Sequence, residues 1–127
     1  MSDLRVAIVG YGMAGRDFHA PLLRAADGLR VTHVVTGDPG RAAQVTADLS
    51  GVRVVPTPAD LWADAASIDV LVVASPTSVH VEHAAAAAHL IAERIDGADE
   101  DRLLALAECA LRGNWALLDG VEERFAA

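Results

Sequence analysis

Lysine is missing from this chain altogether: all ten of its basic residues are arginines. Cysteine is nearly missing, since Cys109 stands alone, and a single cysteine excludes an intrachain disulfide, a cysteine zinc finger and a Cys-x-x-Cys redox pair. Its simplest role is that of a small apolar residue on a helix. No apolar stretch approaches the roughly 20 residues needed to cross a bilayer. The N-terminus, Met1-Ser2-Asp3-Leu4-Arg5, leads straight into a strand pattern without a signal-peptide sequence. The expected compartment is therefore the cytoplasm, with no membrane partner. Basic charge is scarce too: 18 acids and 10 arginines give a net charge of −8, which leaves no basic stripe to displace counterions from nucleic acid. Trp62 and Trp115 belong to no aromatic series for stacking bases and read as core or interface residues.

What is present is ample for a core: 127 residues with 53% hydrophobic content support one domain. The chain is organised around Val6-Ala7-Ile8-Val9-Gly10-Tyr11-Gly12-Met13-Ala14-Gly15. Its apolar run is too short for a helix and suits a strand buried on both faces. The run breaks into G-x-G-x-x-G and is followed by a helical pattern from Arg16 to Ala26. In that context Gly10 permits a tight turn, Gly12 lets backbone approach a pyrophosphate, and Gly15 lets the helix pack against the strand. A phosphate would sit on the free N–H groups at the helix start. Glycines at any tight strand-to-helix turn would look similar, so the motif needs support from the rest of the chain.

That support comes in order. Leu29 to Thr36 reads as a second strand with His33 inside it. Asp38 caps a helix from about Pro39 to Leu49, stopped by Ser50-Gly51. Val52 to Val55 is a third strand, and Thr57-Pro58 opens a helix through about Ala65 with Leu61 and Trp62 facing inward. The fourth strand runs from Ser67 or Ile68 to Ala74, and Ser75-Pro76-Thr77-Ser78 leads into an alanine-rich helix from Val79 to about Ile95. Such alternation predicts an α/β fold, a Rossmann-like doubly wound parallel sheet of about four strands. A C-terminal helical tail follows. Residues 1–95 form the expected dinucleotide-binding domain and 96–127 the tail.

Four ordered motifs carry a resemblance: Gly10-Tyr11-Gly12-Met13-Ala14-Gly15; Phe18-His19-Ala20-Pro21-Leu22; Thr36-Gly37-Asp38-Pro39-Gly40-Arg41-Ala42; and Val72-Val73-Ala74-Ser75-Pro76-Thr77-Ser78-Val79-His80. Over about residues 4 to 88 the chain resembles the glucose–fructose oxidoreductase/inositol dehydrogenase/MocA (Gfo/Idh/MocA) family. The resemblance implies NAD or NADP as cofactor, held in an N-terminal Rossmann domain, and oxidation or reduction of sugars and related alcohols with the help of a C-terminal domain. It implies that Gly10, Tyr11, Gly12, Met13, Ala14 and Gly15 hold the pyrophosphate. Ala74, Ser75, Pro76 and Thr77 would line the ribose near the nicotinamide, with His80 at the start of the next helix. The end of the second strand should read the adenosine ribose, with an acid for NAD or a small polar residue and arginine for NADP. Thr36-Gly37 fits neither pattern well. Asp38 can reach a 2′-hydroxyl or serve as a helix cap, and Arg41 can pair with a 2′-phosphate or stand as a solvated arginine.

The other histidines weigh less. His19 suits packing or capping, and His80 with His83 makes only half a metal site, so no metal is expected.

The family continues with a fifth strand and a Glu-Lys-Pro motif whose lysine assists proton transfer from the substrate hydroxyl. This chain departs from the pattern at His89 and has no lysine to take that role. The resemblance thus implies an oxidoreductase domain without catalytic residues of its own, and the alternative is a non-enzymatic interaction or dimerisation module. Natural truncation and an engineered fragment would both give such a break. In the usual strand order 3-2-1-4-5-6, stopping at the fourth strand leaves Ile68–Ala74 as an apolar edge. The segment 93–127 holds nine acids and four arginines, with Leu104, Leu111, Leu118 and Phe125 at seven-residue spacing. Such a tail would cover that edge in the same chain or join two chains as a dimer.

Overall fold

The computed structural model describes residues 2–93 and, beyond them, Asp101, Leu104, Ala105, Glu108 and Arg112. The backbone divides into two units, Met1–Leu90 and Ile91–Ala127.

Along the chain, β1 (Leu4–Val9), β2 (Leu29–Val35), β3 (Arg53–Val55) and β4 (Val70–Val73) alternate with helical segments. These are a wide turn at Met13–His19 continuing into α1 (Ala20–Ala25), then α2 (Pro39–Asp48), α3 (Pro58–Ala63) and α4 (Thr77–Ala92). All pairings are parallel and the order is β3-β2-β1-β4, the Rossmann-like arrangement expected from the alternation of elements. β1 is central, and Val6, Ala7, Ile8 and Val9 are at most 1% exposed. Because side chains alternate along a strand, Ile8 packs with Tyr11, Ala20, Val34, Val45 and Leu49. Ala7 and Val9 pack instead with Val35, Val55 and Leu61. Each fully buried valine, leucine or isoleucine side chain among these contributes roughly 1.5–3 kcal/mol. Leu61 and Trp62 face inward as expected, Leu61 fully buried and Trp62 half-buried against the second cluster.

His33 is the one buried polar or charged residue among the described residues, 7% exposed. Both ring nitrogens have partners, Nδ1 with Thr32 Oγ1 at 2.9 Å and Nε2 with Asp64 Oδ2 at 3.2 Å. The same carboxylate oxygen accepts from Arg53 at 3.1 Å. The β1–β2 register slips between Val6 and Ala7, opposite Val31 and His33, so Thr32 is the extra residue of a bulge.

Several boundaries differ from the sequence expectation: the fourth strand is Val70–Val73 rather than Ser67 or Ile68 to Ala74, and the ends of β2, β3 and α2 move by one residue. The first helix begins at Met13 rather than Arg16, and its opening seven residues are π-helical, with Ala20 N–H donating to Gly15 C=O. Pro21 has no N–H to give to the carbonyl four residues back, and a widened turn delivers the chain to it without that bond. The third helix stops at Ala63 and a short 3-10 turn, Ala65–Ser67, completes the connection. The fourth helix starts at Thr77, two residues before Val79, while its expected end at Ile95 lies outside the described residues.

β4 pairs with β1 alone among the described residues, and its four residues are all half-buried. In the second unit the five described positions from Asp101 to Arg112 are helical, Leu104 is 62% exposed, and Arg112 pairs with Glu108 one turn away. The expected boundary at 95/96, Cys109, and the stripe through Leu111, Leu118 and Phe125 lie outside the described residues. No helix among the described residues is long and apolar enough to cross a membrane.

Candidate functional site

From β1 the chain turns to β2 on one side, while β4 lies on the other. The C-terminal ends of β1 and β4 therefore form the switch point at which open parallel sheets bind ligands. Three glycines shape the turn leaving β1, each for a different reason. Gly10 has φ +97°, and a β-carbon there would lie 2.8 Å from the Ala74 carbonyl oxygen. Gly15 is buried, and its β-carbon would lie 2.2 Å from the Gly10 carbonyl oxygen. Gly12 is different: within 4 Å its β-carbon would meet only the Arg41 guanidinium, at 3.9 Å. Gly10 and Gly15 bring backbones together, whereas Gly12 leaves open space above the helix start.

Between them, Tyr11 turns into the core at 2% exposure and its Oη donates to Asp48 Oδ2 at 3.0 Å. Arg16 Nε donates to the same oxygen at 2.8 Å. Burial pushes the Tyr11 phenol up to about 12, and the adjoining carboxylate adds to the shift. Asp48 is held below the usual carboxylate range by the Arg16 hydrogen bond and then by that of Tyr11. The sequence offered no sign of this trio, because Asp48 stands 37 residues from Tyr11 and only the packing of α2 brings it near. Of the six residues of the glycine motif, Tyr11 thus presents only its backbone to the turn. Met13 is 72% exposed and Ala14 lines a cavity.

That cavity, about 390 Å³, opens beside the ends of β1 and β4. Val73, Ala74, Ser75 and Thr77 form one side, and His80 and Val81 of α4 continue it. Ala14 and His19 face in from the first helix, so His19 belongs to the cavity wall as well as to the start of α1. The motif Phe18-His19-Ala20-Pro21-Leu22 was the available signal for it. Ser75 Oγ is buried with no hydrogen-bond partner among the described residues. His80 Nδ1 lies 3.2 Å from the Ser75 carbonyl oxygen, an acceptor only, so Nδ1 carries the proton and Nε2 is left free. Pro76 is exposed, and its carbonyl accepts from Val79 N–H at 3.0 Å.

The third expected group sits past β2. Thr36 N–H donates to Val55 C=O at 3.0 Å, and Thr36 Oγ1 accepts from Asp38 N–H at 3.3 Å. Gly37 is crowded, its β-carbon position lying 3.3 Å from the Pro56 carbonyl oxygen. Asp38 is the N-cap of α2 and Oδ1 accepts from Arg41 N–H at 2.7 Å. Arg41 itself is exposed. The structure thus brings the glycine turn, Thr36 to Arg41 and Ala74 to His80 to one end of the sheet. These residues fit a dinucleotide: Gly12 leaves room for a phosphate at a helix start, and the orphaned Ser75 hydroxyl calls for a polar ligand group.

Known proteins share this fold. Residues 4–92 match the Gfo/Idh/MocA oxidoreductase family, NAD-binding Rossmann fold. The chain is similar to inositol 2-dehydrogenase 2 of Saccharopolyspora erythraea, 32% identical over 127 residues, covering 96% of this chain and 37% of that protein. It is similar to scyllo-inositol 2-dehydrogenase (NADP(+)) IolW of Bacillus subtilis, 31% identical over 83 residues, covering 65% of this chain and 22% of that one. Among solved structures, an NAD-binding protein from Listeria innocua superposes with a TM-score of 0.61 at 27% identity, covering 70% of this chain and 25% of the other. The chain therefore spans little more than a third of the first of these relatives and less of the other two.

Proposed function

Because the chain belongs to the Gfo/Idh/MocA oxidoreductase family, matched over residues 4–92, we propose that it binds a nicotinamide dinucleotide at the ends of β1 and β4 and is not catalytic alone. In this reading the turn from Gly10 to Gly15 receives the pyrophosphate, Thr36, Gly37, Asp38 and Arg41 surround the adenosine ribose, and Ala74, Ser75, Pro76, Thr77 and His80 flank the nicotinamide ribose. Residues 1–95 would act as the dinucleotide-binding domain and 96–127 as a separate helical tail. The observation that carries the reading is the buried, unpartnered Ser75 hydroxyl in the wall of a cavity beside an unobstructed Gly12. The dinucleotide supplies hydride chemistry when bound; the chain's own residues bind and orient it. A polyol such as an inositol is the substrate class suggested by the relatives, but no lysine stands in these 127 residues to handle its hydroxyl proton.

A second reading is favoured by the half-buried β4 edge: a dimer formed along that edge or through the C-terminal helices, in the cytoplasm, using the fold as a scaffold. One experiment addresses both. Calorimetric titration with NAD, NADH, NADP and NADPH should show micromolar binding of at least one, and light scattering on the same sample should give twice the chain mass. Absence of all four binding signals would overturn the cofactor reading, and a monomer would overturn the dimer.

A further inference from the structure

We infer that Arg41 makes this chain selective for the 2′-phosphorylated dinucleotide, so that NADP(H) binds more tightly than NAD(H); the inference rests on the dinucleotide reading above. Discrimination between the two cofactors is made where the chain leaves the second strand, by an acid that accepts from the ribose hydroxyls or by a cation that meets the phosphate. Here the end of β2 presents Thr36 and Gly37, neither of them an acid. The nearest carboxylate, Asp38, is turned into its own helix: Oδ1 accepts from Arg41 N–H at 2.7 Å and lies 3.2 Å from where a β-carbon on Gly40 would be.

Arg41 is placed differently. It stands in the first turn of α2, yet its Nη2 comes within 3.9 Å of the β-carbon position of Gly12. The side chain thus spans the gap between the helix after β2 and the glycine turn after β1, the two segments that bracket an adenosine ribose in this kind of crevice. Its charge is also uncommitted. Arg5 holds Asp69, Arg16 holds Asp48 and Arg53 holds Asp64, whereas Arg41 pairs with no carboxylate among the described residues. An unpaired surface arginine is ordinary by itself. One that reaches over a glycine turn, beside a strand end without a usable acid, presents a planar fork of donors where a phosphate dianion would lie.

The test is calorimetric titration of the full chain and of Arg41→Ala with NADPH, NADH, adenosine 2′,5′-bisphosphate and adenosine 5′-monophosphate. A charge-assisted hydrogen bond of this kind corresponds to at least about tenfold in affinity. Wild type should therefore favour NADPH over NADH, and the bisphosphate over the monophosphate, by that factor. Arg41→Ala should lose both preferences, its affinities for NADPH and the bisphosphate falling at least about tenfold further than those for NADH and the monophosphate. Equal weakening of NADPH and NADH would place Arg41 on the pyrophosphate and overturn the inference while the dinucleotide reading stands. Tighter binding of NADH by wild type would also overturn it. No binding of any probe would overturn both readings together.

Discussion

Gly15 and Gly10 meet backbone to backbone: a β-carbon on Gly15 would lie 2.2 Å from the Gly10 carbonyl oxygen. Nothing flexible is available there to move aside, so Gly15→Ala must displace the helix from β1. We expect it to cost about 3 kcal/mol, in the upper range for overpacking. Gly12→Ala should leave the melting temperature unchanged, because its φ is −81° and the only neighbour is the end of the Arg41 side chain. Gly12→Val should abolish dinucleotide binding with the fold retained, since its branches would fill the phosphate space. Thermal melts and titrations of the three variants check this, and equal destabilisation by the two alanine variants would contradict the division of roles.

Tyr11 gives an alkaline prediction. Its folded pKa, raised to about 12 by burial and then by Asp48, lies above the unfolded value near 10. A raised value means the folded state holds the proton more tightly. The contribution is therefore fully present below pH 10 and is lost as pH rises toward 12. Tyr11→Phe should lose about 1 kcal/mol at pH 7 with the hydrogen bond to Asp48, and should lack this part of the alkaline loss. Tyr11 is the chain's single tyrosine, so phenolate absorbance reports its titration directly. Parallel loss of stability in both proteins between pH 10 and 12 would show that the phenol does not drive it.

How much of this was legible in the sequence follows from the range of each interaction. The strand-helix alternation, the Asp38 cap and the crossing of β1 with the glycine turn are local, and periodicity with turn chemistry reveals them. The π-helical opening was not legible, because the residue pattern from Met13 to His19 does not distinguish bonding five residues back from bonding four residues back. Tyr11 looked like part of a binding loop, yet its side chain belongs to the core, a fact that depends on Asp48 arriving from another helix. The position of Arg41 over Gly12 likewise depends on how two segments meet, and the sequence left its role open.

Arg5 and Asp69 join the start of β1 to the segment entering β4. Nε and Nη2 of Arg5 donate to the two carboxylate oxygens at 2.9 Å each, and Arg5 N–H adds a bond of 2.8 Å. The guanidinium first, and the backbone N–H second, hold the Asp69 carboxyl well below the usual carboxylate range. A depressed folded pKa contributes stability above the unfolded value near 4, and that stability is lost as pH falls below it. Asp69→Asn should be less stable than wild type at pH 7 and should converge on it in acid. Melting temperatures between pH 7 and pH 2 check this, and a constant difference across the range would contradict it.

Turnover is the last expectation. Oxidising an alcohol with a nicotinamide moves a hydride to the cofactor and requires a base for the hydroxyl proton. The family assigns that proton to a lysine, and this chain has none. His19 and His80 line the cavity, and His80, with Nδ1 donating to the Ser75 carbonyl, keeps Nε2 as the alternative proton acceptor. No other titratable side chain lines it among the described residues. A purified chain given NAD or NADP with myo-inositol, scyllo-inositol or glucose should form no reduced cofactor above a protein-free control, even where titration shows the dinucleotide bound. Formation of NADH or NADPH by wild type would show that the missing lysine is dispensable. Its loss in His80→Gln, with dinucleotide affinity retained, would then assign the proton to His80 Nε2.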